Sequence, residues 1–312
     1  MIPFPIKKTS FTELMFDLLE VHMSEEKLKD YFIVRYSLIP DTQIDIDTAI
    51  GISKESKFLN WLSSFNTDGR KETTHYGTNY ALYCKPLSEN CFFMSFAKEL
   101  HEIIGEKTED GIKEKPIINY KKCNIFIHTL NQWMIIEKNL DIASDIEHQK
   151  NYIATIIGKF LRPQNLYFEL GIMTEENNFW KYVIENQGAL TDVDITFSSP
   201  NFLRGINTVN ELLHETNDTY NNTSIGIHLK NNDGRLNIDE KNPFLQDAIK
   251  YSSSGCGKWK IKSKTAKSHS SIDNPFIIQL PEGIGQLKAS DYPVIEAMFN
   301  QVLDLDTMSR KE

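Results

Sequence analysis

The stretch VDITFS at residues 193–198 decides the fold, because it shows the clearest strand periodicity in the chain. Its apolar residues alternate with polar ones, as in a strand with one buried and one solvated face. The apolar positions are Val193, Ile195 and Phe197. A second stretch, GKWKIKSK at residues 257–264, alternates in the same way, so Trp259 and Ile261 would face the core and lysines the solvent. The two stretches therefore predict two half-buried strands.

Two helices and a hairpin are predicted between these strands. The first helix carries Ile206, Val209 and Leu213 on one stripe. The second begins at Asn242-Pro243, an N-cap followed by a first-turn proline, and Gly255 ends it. Its inward positions are Leu245, Ala248, Ile249 and Ser252. The predicted hairpin turns at Asp233-Gly234. It pairs Ile225, Ile227 and Leu229 with Leu236 and Ile238.

The remaining pattern interleaves strands and helices without the strict alternation of a doubly wound parallel sheet, and several neighbouring strands form hairpins. It predicts an α+β fold of mainly antiparallel, mixed sheets with helices packed on one face. Strands are predicted at residues 31–39, 80–85, 91–97, 123–128, 133–136, 166–172 and 276–280. Helices are predicted around Phe11, Leu14, Leu18 and Val21, at residues 58–62 and 146–160, around Phe179, Trp180, Val183 and Ile184, and at residues 292–305.

The best candidate for a linker is the segment at residues 105–116, which contains one apolar side chain, Ile112. A segment this polar has nothing to bury, so we expect it to be exposed and mobile. On this basis the chain divides into an N-terminal α+β domain, residues 1–110, and a C-terminal α+β domain, residues 117–312.

Composition limits the function classes that fit. The chain has 312 residues, 40 % of them hydrophobic, and a net charge of -9. That charge argues against a surface that binds nucleic acid or anionic lipid throughout, so any such contact must be local. Four scattered cysteines do not make a disulfide framework, and no apolar run approaches a membrane span. We therefore expect a cytoplasmic protein with no membrane contact.

No catalytic, metal or cofactor motif stands out, so the catalytic residues are unknown and neither a metal site nor a cofactor is expected. Gly255-Cys256-Gly257 follows a helix and precedes a strand, the reverse of the order in phosphate-binding loops. A helix end is the favoured interpretation. Cys256, flanked by glycines, is expected to be exposed, and neighbouring lysines could lower its pKa for a role as a nucleophile. The eight histidines show no metal-ligand spacing.

A metal-dependent nuclease needs a carboxylate and a lysine close together on a strand. The nearest approaches are Asp239-Glu240-Lys241 and Glu114, neither within a predicted strand core. Asp194 and Glu169 do lie on predicted strands, but on the polar side, where a solvated carboxylate is the default.

A row of lysines on one strand face is the most unusual charge pattern in the sequence. It consists of Lys258, Lys260, Lys262 and Lys264, supported by Lys267. Like charges on one face repel one another. The favoured interpretation is an edge strand that charge protects from aggregation. The alternative is a strip that binds phosphates or an acidic partner.

Several of these features together resemble uncharacterised proteins encoded in bacterial anti-phage defence islands. The resemblance covers about residues 190–265 and rests on turns and caps. These are Ser198-Ser199-Pro200-Asn201, the Asn-rich helix exit, the Asp233-Gly234 turn and Gly255-Cys256-Gly257-Lys258-Trp259. It implies a role in immunity beside other subunits and assigns no catalytic residue.

The sequence as a whole thus predicts a non-catalytic binding or sensor subunit of a bacterial multi-component system for anti-phage defence. Protein partner subunits are expected, with a local nucleic-acid contact through the lysine row and self-association as a homodimer. The alternative is a metal-dependent, nuclease-like effector whose acidic ligands are dispersed along the chain.

Overall fold

The computed structural model describes residues 27–41, 53–198, 206–220, 222 and 224–286. Within these residues, antiparallel strands form two sheets with helices packed against them, which confirms the predicted α+β class. The helices predicted around Phe11 and at residues 292–305 lie outside the described residues.

The strands are β1 (Leu28–Pro40), β2 (Arg70–His75), β3 (Thr78–Pro86), β4 (Cys91–Thr108), β5 (Gly111–His128), β6 (Trp133–Glu137), β7 (Leu166–Ile172), β8 (Leu190–Ser198), β9 (Ser224–Lys230), β10 (Gly257–Ser263), β11 (His269–Ser270) and β12 (Ile277–Pro281). The helices are α1 (Lys54–Ser63), α2 (Phe65–Asp68), α3 (Ile146–Leu161), α4 (Asn177–Glu185), α5 (Asn207–Tyr220) and α6 (Pro243–Tyr251).

The first sheet has eight strands in the order β12-β1-β6-β5-β4-β3-β2, with β7 also paired to β1. β1 pairs with β6 along one edge and with β12 and then β7 along the other. Helices α1, α2 and α3 cover one face, because their apolar stripes pack on alternate residues of the strands. This core includes Phe58, Trp61, Phe65, Ile153, Ile157, Val34, Phe96 and Ile125. A smaller core covers part of the opposite face, around Ile33, Phe126 and Ile135.

The predicted linker is instead part of a long β-hairpin. β4 and β5 pair along their whole length, from Cys91 opposite His128 to Thr108 opposite Gly111. Residues 105–116 are exposed as expected, apart from the half-buried Thr108, but their backbone groups are bonded across the ribbon. The interpretation as a linker was wrong because a polar composition indicates exposure without excluding strand pairing. Strands from both sides of the expected domain boundary therefore share one sheet.

The second sheet has the order β11-β10-β8-β9, and α4, α5 and α6 contribute to its core. The inward residues predicted for β8 and β10 are all buried, and the Trp259 ring meets Phe179 edge-on at 5.2 Å. The predicted start of α6 is confirmed, because the Asn242 side chain accepts a hydrogen bond of 3.1 Å from the Leu245 amide. Ile184, predicted to face inward from α4, is exposed.

The predicted hairpin around Asp233-Gly234 is wrong in its pairing. Gly234 does adopt a positive φ of 74°, but residues 235–239 form no strand. β9 pairs with β8 instead, and the Leu236 amide donates to the Leu190 carbonyl at 3.1 Å. The turn residues therefore reverse the chain locally, but β9 pairs with β8 and not with the residues after the turn.

Candidate functional site

A cleft of about 730 Å³ lies between α3, β7 and the adjoining ends of β8 and β10. This volume falls within the range of roughly 300–1,000 Å³ that is usual for small-molecule sites. One wall comes from the first sheet and its helix, and the other comes from the second sheet. Charged and polar side chains from both walls converge on this cleft, which makes it the candidate functional site.

Glycines allow the two sheets to approach closely at the cleft. An added Cβ at Gly171 on β7 would lie 1.9 Å from the carbonyl oxygen of Gly255, just before β10. Within the second sheet, a Cβ at Gly257 on β10 would lie 2.3 Å from the Thr196 carbonyl oxygen on β8. Gly255 also has a φ of +80°, which favours glycine. Gly255-Cys256-Gly257 therefore has a structural role at a helix end. Cys256 is fully buried, so the expectation of an exposed thiol was wrong.

A buried turn, Ser252–Cys256, fastens the two sheets together beside the cleft. Its Ser253 carbonyl accepts from the Thr174 amide at 2.9 Å, and its Ser254 carbonyl accepts from Arg35 Nε at 2.9 Å. The Arg35 guanidinium also lies 5.8 Å from the centre of the Trp133 ring. These contacts fix the two walls of the cleft relative to each other.

Two lysines from different walls face the cleft. Lys150 projects from α3 and is half-buried, while Lys258 projects from the start of β10. Burial lowers the pKa of Lys150, the charge of Lys258 lowers it further, and Glu147 and Glu169 partly oppose both effects. Neither lysine has a carboxylate within 4.0 Å among the residues that the structure describes. Two cations thus share a partly desolvated space, and neither has an ion-pair partner in the described part of the chain.

Glu169 extends from β7 into the same cleft. Its side chain is solvent-accessible, yet the surrounding walls displace enough water to raise its pKa, against the opposing effect of Lys150. The expectation of an ordinary solvated carboxylate was therefore incomplete. A protonated Glu169 can donate a hydrogen bond to an anion, whereas an ionised Glu169 would repel it.

The other cations of the cleft are already engaged. Arg162 Nη2 lies 3.2 Å from Asp41 Oδ2, and its guanidinium stacks 3.6 Å from the centre of the Tyr167 ring. Lys159 Nζ donates to the Thr74 carbonyl at 2.6 Å. Lys150 and Lys258 are therefore the cations best placed to receive a ligand.

The structure separates the predicted lysine row. Lys258 alone lines the cleft. Lys260 lies opposite Asp194 on β8, and Lys262 Nζ is 3.9 Å from Asp192 Oδ1. Lys264 follows the end of β10, and Lys267 contributes its carbonyl to the Tyr182 hydroxyl at 2.8 Å. β10 is also not an edge strand, because β8 pairs along one side of it and β11 along part of the other.

Sequence reasoning missed Lys150 as a partner of Lys258, because more than a hundred residues separate them. A weaker local signal does exist in α3. Glu147, Lys150, Ala154 and Gly158 follow one another at helical spacing, and all four line the cleft. Such a stripe of polar and small residues leaves room beside the helix, which an apolar stripe would fill.

The carboxylates considered for a nuclease site have other contacts or stand apart. Asp194 contacts His228 Nδ1, and Asp239 accepts from the Lys241 amide at 2.9 Å. The described part of the chain contains no group of three His, Cys, Asp or Glu side chains placed to hold a metal ion. None of its helices is both long enough and apolar enough to cross a membrane. The nuclease alternative stays a prediction.

Comparison with known proteins adds no family assignment. No family model matches the chain. No curated protein matches it either.

Proposed function

We propose that the protein is a non-catalytic binding or sensor subunit whose cleft takes a small anionic ligand that carries a phosphate or carboxylate group. The observation that carries the proposal is the meeting of Lys150 and Lys258 in one cleft where no carboxylate of the described residues lies in ion-pair range. In a chain of net charge -9, two cations held together with no ion-pair partner among the described residues are a local exception.

The electrostatics support an anion in particular. Lys150 and Lys258 repel each other when the cleft is empty, so an anion between them would remove an unfavourable interaction and add charge-assisted hydrogen bonds. Thr196 and Ser198 are lining residues, and their side chains are neutral hydrogen-bonding groups. Perturbed ionisable groups in a cleft are typical of functional sites.

The wider role follows from the sequence resemblance. In a bacterial anti-phage defence system, such a subunit would bind a small anionic signal and pass the bound state to protein partner subunits. The two walls of the cleft belong to different sheets, so a ligand held by Lys150 and Lys258 would bridge them.

Isothermal titration calorimetry at low salt tests the proposal. Probes are inorganic phosphate, a nucleoside monophosphate and a short single-stranded oligonucleotide. We expect binding of at least one small phosphate compound, and a loss of about tenfold or more in affinity for Lys150→Ala and for Lys258→Ala, since a hydrogen bond to a charged group contributes about 1.5–3 kcal/mol.

Lys262→Ala is the matched control, because Lys262 lies on the same face of β10 beside Asp192. Equal affinities for the parent, both cleft variants and the control would place the anion elsewhere. Binding of the oligonucleotide alone would instead favour nucleic acid as the ligand.

A further inference from the structure

The far half of the β4-β5 hairpin carries an apolar surface on one side. Side chains of paired residues share a face, so β4 residues with odd numbers and β5 residues with even numbers point the same way. The large apolar residues on this face are Ile103, Ile112, Ile118 and Tyr120, each between 51 % and 79 % exposed. We call this side of the hairpin, with its continuation onto β3 and β2, the open face.

The opposite side of the same ribbon is charged. Lys121 pairs with Glu102 at 3.3 Å, and Lys115 pairs with Glu106 at 3.4 Å. The Asn119 amide also donates to Glu102 at 2.9 Å. The large apolar residues of the ribbon that are more than half exposed therefore lie on one side, whereas the other side carries these ion pairs together with the less exposed Ile104.

The open face extends beyond the ribbon to β3 and β2. Tyr83, which is exposed, lies on it opposite Arg70. Near its centre, the buried Glu99 accepts from the Tyr120 hydroxyl at 2.8 Å and from Asn79 Nδ2 at 3.0 Å. These bonds hold the aromatic ring of Tyr120 in place, so the surface is ordered before any partner arrives.

The charges on the open face nearly balance. Its cations are Arg70, Lys85, Lys107 and Lys122, and its carboxylates are Glu72, Glu99 and Glu114. A two-fold interface brings identical patches together, so a patch with a large net charge of one sign would repel itself. In a chain of net charge -9, a face with four cations and three carboxylates is close to neutral and is therefore suited to a second copy.

We infer that the open face packs against the open face of a second copy of this chain, which makes the protein a homodimer. Contiguous exposed apolar patches on a rigid sheet are typical of protein interfaces. Two sheets packed face to face would interleave the isoleucines and the tyrosine of both copies at a spacing of about 10 Å. This inference is independent of the ligand proposed for the cleft.

Light scattering coupled to size-exclusion chromatography of the full chain at micromolar concentration tests the inference. We expect a mass twice that of the 36.0 kDa chain. The double variant Ile103→Lys/Ile118→Lys should be monomeric, with dimer affinity weakened by about 100-fold or more, because two central apolar contacts are replaced by charges that repel across the two-fold axis.

Ile104→Lys is the matched control. Ile104 is the next residue on the same strand, is 41 % exposed and points to the charged side of the ribbon, so this variant should remain a dimer. Circular dichroism should show all variants folded, since the changed side chains are exposed. A monomeric parent protein would overturn the inference. It would do so even if the monomer bound an extended peptide along the edge of the hairpin. The inference would also be overturned if the double variant were a dimer, or if Ile104→Lys dissociated to the same extent as the double variant.

Discussion

Lys258 and Lys262 project from the same face of one strand, yet their surroundings differ. Lys262 lies opposite Asp192 on β8. Lys260, which lies between Lys258 and Lys262, is opposite Asp194, so both of these lysines have a carboxylate beside them. Lys258 lies opposite Thr196 and faces Lys150 across the cleft. The sequence of the neighbouring strand therefore determines whether a lysine is neutralised at the surface or left available to a ligand.

The largest expected effect concerns the buried face of β10, opposite the lysines. Trp259 is buried against Phe179, so Trp259→Ala should lower the free energy of unfolding by roughly 3–5 kcal/mol. Lys260→Ala, the next residue and on the solvent side, should change it by less than about 0.5 kcal/mol. Urea denaturation followed by circular dichroism measures both. Similar losses for the two variants would contradict the assigned faces.

The next largest effect distinguishes two glycines of the second sheet, one on β10 beside the cleft and one on the edge strand β9. Gly257→Ala would place a Cβ 2.3 Å from the Thr196 carbonyl oxygen, and we expect a loss of about 3 kcal/mol, the upper part of the usual range for overpacked sites. Gly226 lies opposite Thr196 on β9, and a Cβ there meets no atom within 4 Å. Gly226→Ala should therefore cost little. Chemical denaturation measures the free energy of unfolding of both variants. Equal losses would show that the cleft wall at Gly257 is less tightly packed than described.

Local signals in the sequence predict the elements of the second sheet well. The period of two places Trp259 and Ile261 in the core, and the Asn242 cap begins α6 where expected, because both features depend on residues a few positions apart. The pairing of β9 was not predictable in this way. The Gly234 turn is compatible with a hairpin, but the choice of β8 as partner depends on tertiary competition between strands.

The candidate site was predicted only in part, for the same physical reason. The lysine row contains Lys258, but nothing within the row distinguishes it from Lys262. That distinction comes from Thr196 and Asp192 on β8 and from Lys150 on α3, which the fold brings together from distant segments. Charge spacing within one strand therefore identifies candidates, and the packing of other elements selects among them.

A smaller effect concerns pH and the cost of holding Lys150 in the cleft. Because its pKa is lowered in the folded state, the unfolded chain binds more protons between that pKa and the ordinary value of 10.5. Its contribution therefore makes stability rise with pH across this window, and the protonated side chain is unfavourable at neutral pH. Lys150→Met should raise the melting temperature at pH 7, and the gain should shrink as pH approaches 10.5.

Differential scanning calorimetry of parent and variant across pH 7–10 measures this gain. Lys262→Met is the control, since Lys262 lies near Asp192 at the surface and should show no such gain. A Lys150→Met variant that is less stable than the parent at pH 7 would mean that the ammonium has a compensating partner, and the cleft would then have no unpaired cation on α3.

The smallest expected effect comes from a variant in which Lys260 and Lys262, like Lys258, have no carboxylate opposite them on β8. Asp192→Asn/Asp194→Asn removes the carboxylates beside Lys260 and Lys262 while keeping the size of the side chains. We expect the variant to gain weak binding to duplex DNA at low salt, with a salt dependence steeper than that of the parent by up to about two units, since each lysine–phosphate contact releases nearly one counterion. Fluorescence anisotropy over a series of salt concentrations measures the slope. A parent that already binds with the same slope would show that the acids of β8 do not neutralise the row, and the contrast between Lys258 and Lys262 would then have to arise from Lys150 alone.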